Sequence, residues 1–465
     1  MTLDKAVKGG ISVTDTLDLD KKGLIKRIIL FTVPIMLQGL LQSLYNSADL
    51  VVVGRFAGEL ALSSVGATSS AYAVMVNLFI GASAGVDVVA SLHYGMRDKQ
   101  GVKQTIDTAV IASPIIGVLV MIMGIFLTRP ILVLMNTPEG AVLEGAVTYL
   151  TVVMIGVPFA VFFNFCSAIL RTSGQTKPQF IYLAISGIVN VVLNLILVMV
   201  FHMGVVGVAV GTVASQVLSA ILIFIKLLKS KGLFSFSFKN VDFSGKKLLR
   251  ILTIGIPAGI QGSLFSISNA FLQSGVNSFG ELAIAGSTAT ANVEGLLYVM
   301  VSSFQSAATT FTGIYMGAGK IKKVKHVFFS VVGLSAVTGI ILGLSAFAFG
   351  KNLISIFIVD NPVALQYGYD RLKITFPVYF LAGLMGTLPG CVRGMGHSIA
   401  PTIISLLGAC GLRILWIYTV FAAYPSITVL YLIHPISWIV TTTALVICFA
   451  VFYKKEKRRF NLLTT

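Results

Sequence analysis

Residues Thr32–Gly54 read TVPIMLQGLLQSLYNSADLVVVG, an apolar run long enough to cross a bilayer that nonetheless carries Gln38, Gln42, Tyr45 and Asp49. At about 100° of helical turn per residue, their spacing along the chain brings all four onto one narrow stripe. A carboxylate in the middle of a membrane span costs about 2.5 kcal/mol or more unless it faces a cavity, a partner or a transported ion. A polar stripe leading to one acid therefore reads as a site. The competing reading is a seam that only joins helices, but Ser, Thr or Asn does that without an acid.

Working outward, the rest of the chain is equally apolar. Of 465 residues, 56% are hydrophobic and only 11% charged, less than half the charged share usual in soluble proteins. Apolar runs of about 20 residues recur from end to end, so the chain is an all-α polytopic membrane protein. Twelve spans are expected, at about 25–53, 60–92, 105–127, 146–170, 179–200 and 205–228, then about 249–275, 282–316, 326–349, 368–392, 401–423 and 427–453. Residues 1–23 are polar and read as a short cytoplasmic tail with no signal peptide, and residues 454–465 as a basic one.

The net charge of +17 is a matter of orientation. Basic residues cluster at 5–27, 97–103, 171–177, 226–250, 320–325, 393 and 454–459, so 28 of the 34 Lys and Arg fall on one side of the expected topology. By the positive-inside rule that side is the cytoplasm, with both termini there and the chain in the plasma (inner) membrane. Nucleic acid is not needed to explain the charge. Cys166, Cys391, Cys410 and Cys448 lie in apolar stretches without ligand spacing and read as packing residues. There is no GxxxxGK[ST] motif, so ATP is not the direct energy source. No cluster of nucleophile, metal ligands or acid/base pair is seen among the spans, which argues against an enzyme.

The longest polar break, residues 229–247, sits mid-chain and reads as a linker between two lobes, 24–228 and 248–453. The lobes repeat. Pro34, Gln38 and Asn46 recur at one constant offset as Pro257, Gln261 and Asn269. Gly95, Lys103, Arg171 and Gly174 recur, with the offset shorter by a single position, as Gly317, Lys325, Arg393 and Gly396. Six spans per repeat is an even number, so the lobes insert alike and are related by a pseudo-twofold axis along the membrane normal. The offset that takes Pro34 to Pro257 also takes Gln42 to Phe265 and Asp49 to Leu272, so the repeat keeps the scaffold and drops the acid. Coupling is expected in the first lobe.

The pattern Pro34-x3-Gln38…Asp49-x4-Gly54, with Arg171-Thr-Ser-Gly174 and Arg393-Gly-Met-Gly396 closing spans four and ten, resembles the multidrug and toxic compound extrusion (MATE) family. The resemblance covers nearly all of 24–453. It implies a two-lobe exporter of organic compounds driven by inward flow of protons or sodium ions. It also implies a first-lobe ion pocket at Asp49, Asn164, Asn190, Asn194 and Thr212, with Asn194 standing where family members can have an Asp. Asp49, Asn190, Asn194 and Thr212 could together hold Na+, since amide and hydroxyl oxygens beside a carboxylate suit a hard ion. Another branch of the family places acids in spans seven and ten; here span seven has none, and no acid occurs between Asp370 and Arg393, so that branch fits poorly.

The spans expected to face a central cleft carry Gln38, Gln42, Tyr45, Tyr72, Met75, Gln261, Phe265 and Tyr298, a Met- and aromatic-rich wall able to repack around apolar guests. Glu294 and Arg413 sit at similar depths, and mutual pairing is the economical expectation for two buried charges, with substrate contact the alternative. Asp87 reads as an ion pair near the inner face, and Lys103 with Asp107 as a surface i,i+4 pair. The expected function is a secondary antiporter exporting amphiphilic organic compounds, cations foremost, against H+ or Na+ by alternating access. It would need no cofactor and would work as a monomer in the lipid bilayer. The alternative is a flippase for lipid-linked saccharides from the related two-lobe superfamily. A pyrophosphate cargo would call for several deep Arg or Lys, and by span position only Arg413 is deep.

Overall fold

Where the chain is apolar for 20 residues or more it is helical, because a helix satisfies every backbone polar group within the segment. The computed structural model describes residues 20–464 apart from 136, 231, 359 and 360, so most of the expected N-terminal tail lies outside the described residues. Every regular element among the described residues is helical. In chain order they are α1 Lys21–Val52, α2 Glu59–Gly95, α3 Lys99–Leu134, α4 Ala141–Thr172, α5 Lys177–Leu195, α6 Gly204–Lys229, α7 Gly245–Asn277, α8 Glu281–Ser302, α9 Phe304–Gly317, α10 Ile321–Ala348, α11 Gly350–Ser355, α12 Pro362–Thr375, α13 Phe380–Gly394, α14 Ile399–Ser405, α15 Leu412–Trp416 and α16 Ile427–Thr464. Wide π-helical turns follow α1 (Val53–Ala57), α5 (Ile196–Val200), α14 (Leu406–Gly411) and α15 (Ile417–Phe421).

Among the described residues ten helices are long and apolar enough to cross a membrane, and an eleventh span forms if α12 and α13, bent by 53° around Phe376–Val378, are counted together. The remaining expected span, 282–316, is divided at Ser303 into α8 and the shorter α9. The Arg-x-x-Gly repeats are helix stops. Gly174 (φ 78°) and Gly396 (φ 90°) adopt the left-handed conformation and donate their N–H to the carbonyls of Arg171 and Arg393, at 2.8 and 2.7 Å. Only glycine adopts this cap without a steric cost.

Contacts divide the chain into two units. The first is Val33–Gly259. The second comprises residues 20–32 and 260–464. The change-overs fall in α1 and α7, close to Pro34 and Pro257. Within the first unit, Gly81 and Gly85 of α2 meet the start of α7 backbone to backbone. A Cβ on Gly81 would lie 2.0 Å from Gly259 N, and one on Gly85 would lie 2.1 Å from Ile251 O. Small residues four apart on both helices allow this approach.

The mid-chain linker is held against the first unit. Asp107 accepts from Lys103 Nζ at 2.6 Å and from the Asp242 backbone N–H at 2.9 Å, and Thr108 Oγ1 accepts from Ser244 N–H at 3.0 Å. Phe234 stacks edge-on against Tyr94, and Phe236 packs beside Phe224. The expected surface pair Lys103–Asp107 is thus corrected: the spacing holds, but Asp107 is fully buried because the linker folds over it. All four cysteines are free and buried, as expected of packing residues. Outside the spans, Asp98 caps α3, and the Gly101 N–H it accepts at 2.9 Å holds its carboxyl below the usual range.

Candidate functional site

In the first unit the polar stripe of α1 meets α5. Asn194 donates its amide to Asp49 Oδ1 at 2.6 Å, and the same nitrogen lies 3.5 Å from Asn190 Oδ1. No other hydrogen bond or ion pair reaches Asp49 among the described residues. Its carboxylate is therefore neutralised by no protein cation, and it has one neutral donor. Asn194 Oδ1 is buried without a partner. The helices approach closely here. Tyr45 donates to Ala184 O at 3.0 Å, and a Cβ on Gly187 would lie 1.9 Å from the Tyr45 ring. Gly211 of α6 leaves room for Asn194 Oδ1, which an added Cβ would meet at 2.0 Å.

The π-helical turns Val53–Ala57 and Ile196–Val200 begin just past Asp49 and Asn194 and pack against one another. Val52, Val53, Tyr149, Val153, Val198 and Val208 form an apolar core beside them. π-helical turns are rare and are frequent at functional sites.

The other residues of the expected ion pocket stand apart from this hydrogen-bonded group. Asn164 donates to Ala160 O at 2.8 Å and Thr212 to Val208 O at 3.0 Å, and Thr212 also hydrogen-bonds the Tyr149 side chain of α4; neither Asn164 nor Thr212 is bonded to Asp49 or Asn194. Tyr72 accepts from Gln216 Nε2 at 3.0 Å. Gln216, whose Oε1 is buried and unpartnered, was not singled out in the sequence, although it lies one helical turn beyond Thr212 on the same face of α6. Gln38 is half-buried with Oε1 unpartnered, Gln42 is exposed, and Met75 approaches Gly124 beside Met154.

The second unit holds a cavity of about 200 Å3 lined by Phe265, Leu272, Glu294, Tyr298, Arg413 and Trp438, among others. The expected Glu294–Arg413 pair is corrected. Glu294 instead takes Arg371 in a two-point pair, Nη2 to Oε2 at 2.6 Å and Nε to Oε1 at 3.3 Å, with Thr375 Oγ1 donating to Oε1 at 3.0 Å. Arg371 Nη1 goes to Ser287 Oγ at 2.7 Å, and Tyr379 donates to Glu294 O at 2.6 Å. Arg371 was not expected to be deep, yet it is buried between α8 and α12. Arg413 pairs with neutral groups: Nη1 to Asn269 Oδ1 at 2.9 Å and Nε to Ser437 Oγ at 3.3 Å, with its plane 5.2 Å from the Phe265 ring centre. Gln261 is not part of the cavity wall. It donates to Ser405 Oγ at 3.0 Å and accepts from Arg393.

Asp87 forms an ion pair, as expected, and the structure shows it buried. Arg171 Nε lies 3.7 Å from Oδ2, and Thr172 and Ser91 donate to Oδ1 at 3.1 and 3.2 Å. No group of three or more His, Cys, Asp or Glu able to hold a metal ion occurs among the described residues.

The MatE family model matches this chain twice, over residues 34–196 and 257–419, the same repeat that the prolines and glutamines mark. The chain is 28% identical over 396 residues to the probable multidrug resistance protein YpnP of Bacillus subtilis, covering 85% of this chain and 88% of that one. It is 24% identical over 400 residues to the multidrug export protein MepA of Staphylococcus saprophyticus, covering 83% and 85%. Its fold matches the solved outward-facing conformation of a multidrug resistance MATE family transporter of the MOP superfamily, with a TM-score of 0.88, 22% identity, and coverage of 97% of this chain and 100% of that one. With both repeats matched in order and both polar clusters lying inside them, the chain belongs to the MatE family of multidrug efflux transporters.

Proposed function

We propose that the chain is a secondary antiporter that exports amphiphilic organic compounds in exchange for H+ or Na+ by alternating access, coupled at Asp49. The carrying observation is an acid within a membrane span whose only described hydrogen-bond donor is the neutral amide of Asn194. Burying such a charge uncompensated is costly, and an exchangeable cation removes the cost. A proton would neutralise the carboxyl directly. Sodium would find oxygens at Asp49 and at the unpartnered Oδ1 of Asn194, with Asn190 adjacent and Thr212 on the neighbouring helix as further donors.

Loading the cation changes the Asp49–Asn194 bond that ties α1 to α5, next to two π-helical turns and on the helix that carries Pro34. That gives bound ion and bound compound a shared two-state element to bias, which is all that coupling requires. The relatives named as multidrug export proteins support organic compounds as cargo, and an acidic pocket favours cations among them. On this reading the chain works as a monomer in the plasma (inner) membrane with both termini cytoplasmic, and it needs no cofactor. It is a transporter rather than an enzyme.

The test is counterflow transport in proteoliposomes with proton and sodium gradients imposed separately. Uptake of a cationic dye that follows one gradient and collapses with it supports the reading. Dye movement indifferent to both gradients would remove the antiport mechanism.

A further inference from the structure

We infer that the cavity of the second unit is a binding site for an aromatic carboxylate, with the Arg413 guanidinium as its anion anchor. The charge count around the cavity is decisive. Glu294 has both oxygens committed to Arg371 and Thr375, so that pair is neutral as a unit. Arg413 is 1% exposed, and its partners, Asn269, Ser437 and the Phe265 ring, are all uncharged. Its Nη2 makes no hydrogen bond among the described residues, while Nε and Nη1 are taken. A buried guanidinium with a free donor edge on a cavity is costly alone and is relieved by a carboxylate that accepts from it. The other titratable groups lining this space are His434 and the phenols of Tyr298, Tyr379 and Tyr431; the imidazole supplies no negative charge as a neutral or a protonated ring, and neither does a protonated phenol.

The repeat gives this cavity a meaning. The offset that carries Pro34 onto Pro257 carries Asn190 onto Arg413, and it carries Asp49 onto Leu272, which lines the cavity. Positions that form an acid-and-amide cluster in the first unit thus form an apolar-and-cation cluster in the second. The site kept its place in the fold and reversed its sign. The remaining wall mixes aliphatic side chains such as Val276 and Leu430 with aromatic rings. Phe265 and Tyr298 stack with ring centres 5.9 Å apart, and Trp438 closes another side. At about 200 Å3 the space is smaller than the ~300 Å3 and above of drug-sized sites, which suits one aromatic ring bearing an anionic group.

The cavity contains its own reporter. The chain has two tryptophans, and Trp438 lines the cavity while Trp416 donates to Val429 O at 3.0 Å. The experiment titrates the full-length Trp416→Phe chain in detergent, without any ion gradient, and reads Trp438 fluorescence. The probes are benzoate, the isosteric neutral benzamide, the cationic benzamidine and sodium chloride. Expected are saturable quenching by benzoate, affinity for benzamide lower by about tenfold or more, and none for benzamidine. Arg413→Gln should lose about tenfold or more of benzoate affinity, and Arg413→Lys should keep part of it.

Equal affinity for benzoate and benzamide, no saturable benzoate signal, or full displacement by equimolar chloride would each overturn the assignment. The three-probe comparison needs no variant at Arg413, so a misfolded Arg413→Gln leaves the test intact. Binding here uses neither a gradient nor Asp49, so its failure leaves the antiport reading untouched.

Discussion

The buried pair Glu294–Arg371 makes the sharpest energetic prediction, because it replaces the partner that depth along the sequence suggested. Glu294→Ala removes three acceptor contacts at once, two from Arg371 and one from Thr375, while the Tyr379 bond to the backbone carbonyl survives. Arg371, 8% exposed, is left with Ser287 on Nη1 and the Tyr431 ring 5.8 Å away, its Nε and Nη2 stranded. Stranding one member of a buried ion pair costs about 3–5 kcal/mol. Removing both charges relieves most of this, so Glu294→Ala with Arg371→Ala should fall well short of the sum of the single losses, by about 2 kcal/mol or more. The assay is an SDS-unfolding titration of the detergent-purified chain, run as a double-mutant cycle with a parallel Glu294–Arg413 cycle as control. A Glu294–Arg371 coupling under about 0.5 kcal/mol, or a larger one for Glu294–Arg413, would refute the assigned partner.

Other perturbations test the packing and the topology. Asp107→Ala frees the Lys103 and Asp242 anchors of the linker, and limited trypsin digestion should then cut within 229–247 several times faster, with unchanged cutting counting against the clamp. Gly187→Ala places a methyl where the Tyr45 ring lies, so it should lower thermal stability. Adding Tyr45→Ala should return part of the loss, and additive losses would mean that the two helices do not meet there. Gly211→Ala should displace the Asn194 amide and depress gradient-driven export more than it depresses stability, and unimpaired export would separate Asn194 from coupling. The four native cysteines are buried, giving a quiet background for single-cysteine labelling in intact cells. Positions 201–204 and 350–366 should label from outside and 229–247 should not, and the reverse pattern would invert the direction of export.

The fold was readable because each of its signals is local. Apolar runs set the helices, the Arg-x-x-Gly stops appear as left-handed glycine caps, and the constant shift of Pro34 and Gln38 is the same shift that the family match repeats. The Asp49 stripe was legible for a similar reason: helical spacing alone puts its members on one face. What hydropathy could not supply was which helices are neighbours. Glu294 and Arg413 share a depth, but α8 packs against α12, which brings in Arg371 instead.

Arg371 itself sat near the edge of an expected span at 368–392. The helix begins earlier, at Pro362, and places Arg371 within its own length, buried on Glu294 of α8. Asp107 lies fully buried because a loop distant in the chain covers it, which no i,i+4 rule contains. The π-helical turns next to Asp49 and Asn194 have no periodic signature in the sequence.

The measurement closest to the central claim is gradient-driven drug efflux by Asp49→Asn in everted vesicles, alongside drug binding by the same variant in detergent. The substitution keeps the shape and mimics the protonated carboxyl, so it holds the cluster in its ion-loaded form. Binding should persist within a few-fold while efflux vanishes, and Leu272→Asp, the repeat counterpart, should not restore it, because Arg413 stands where the first unit has Asn190. Normal gradient-driven efflux by Asp49→Asn would contradict the account, and the coupling site would then have to be sought around Glu294 and Arg371.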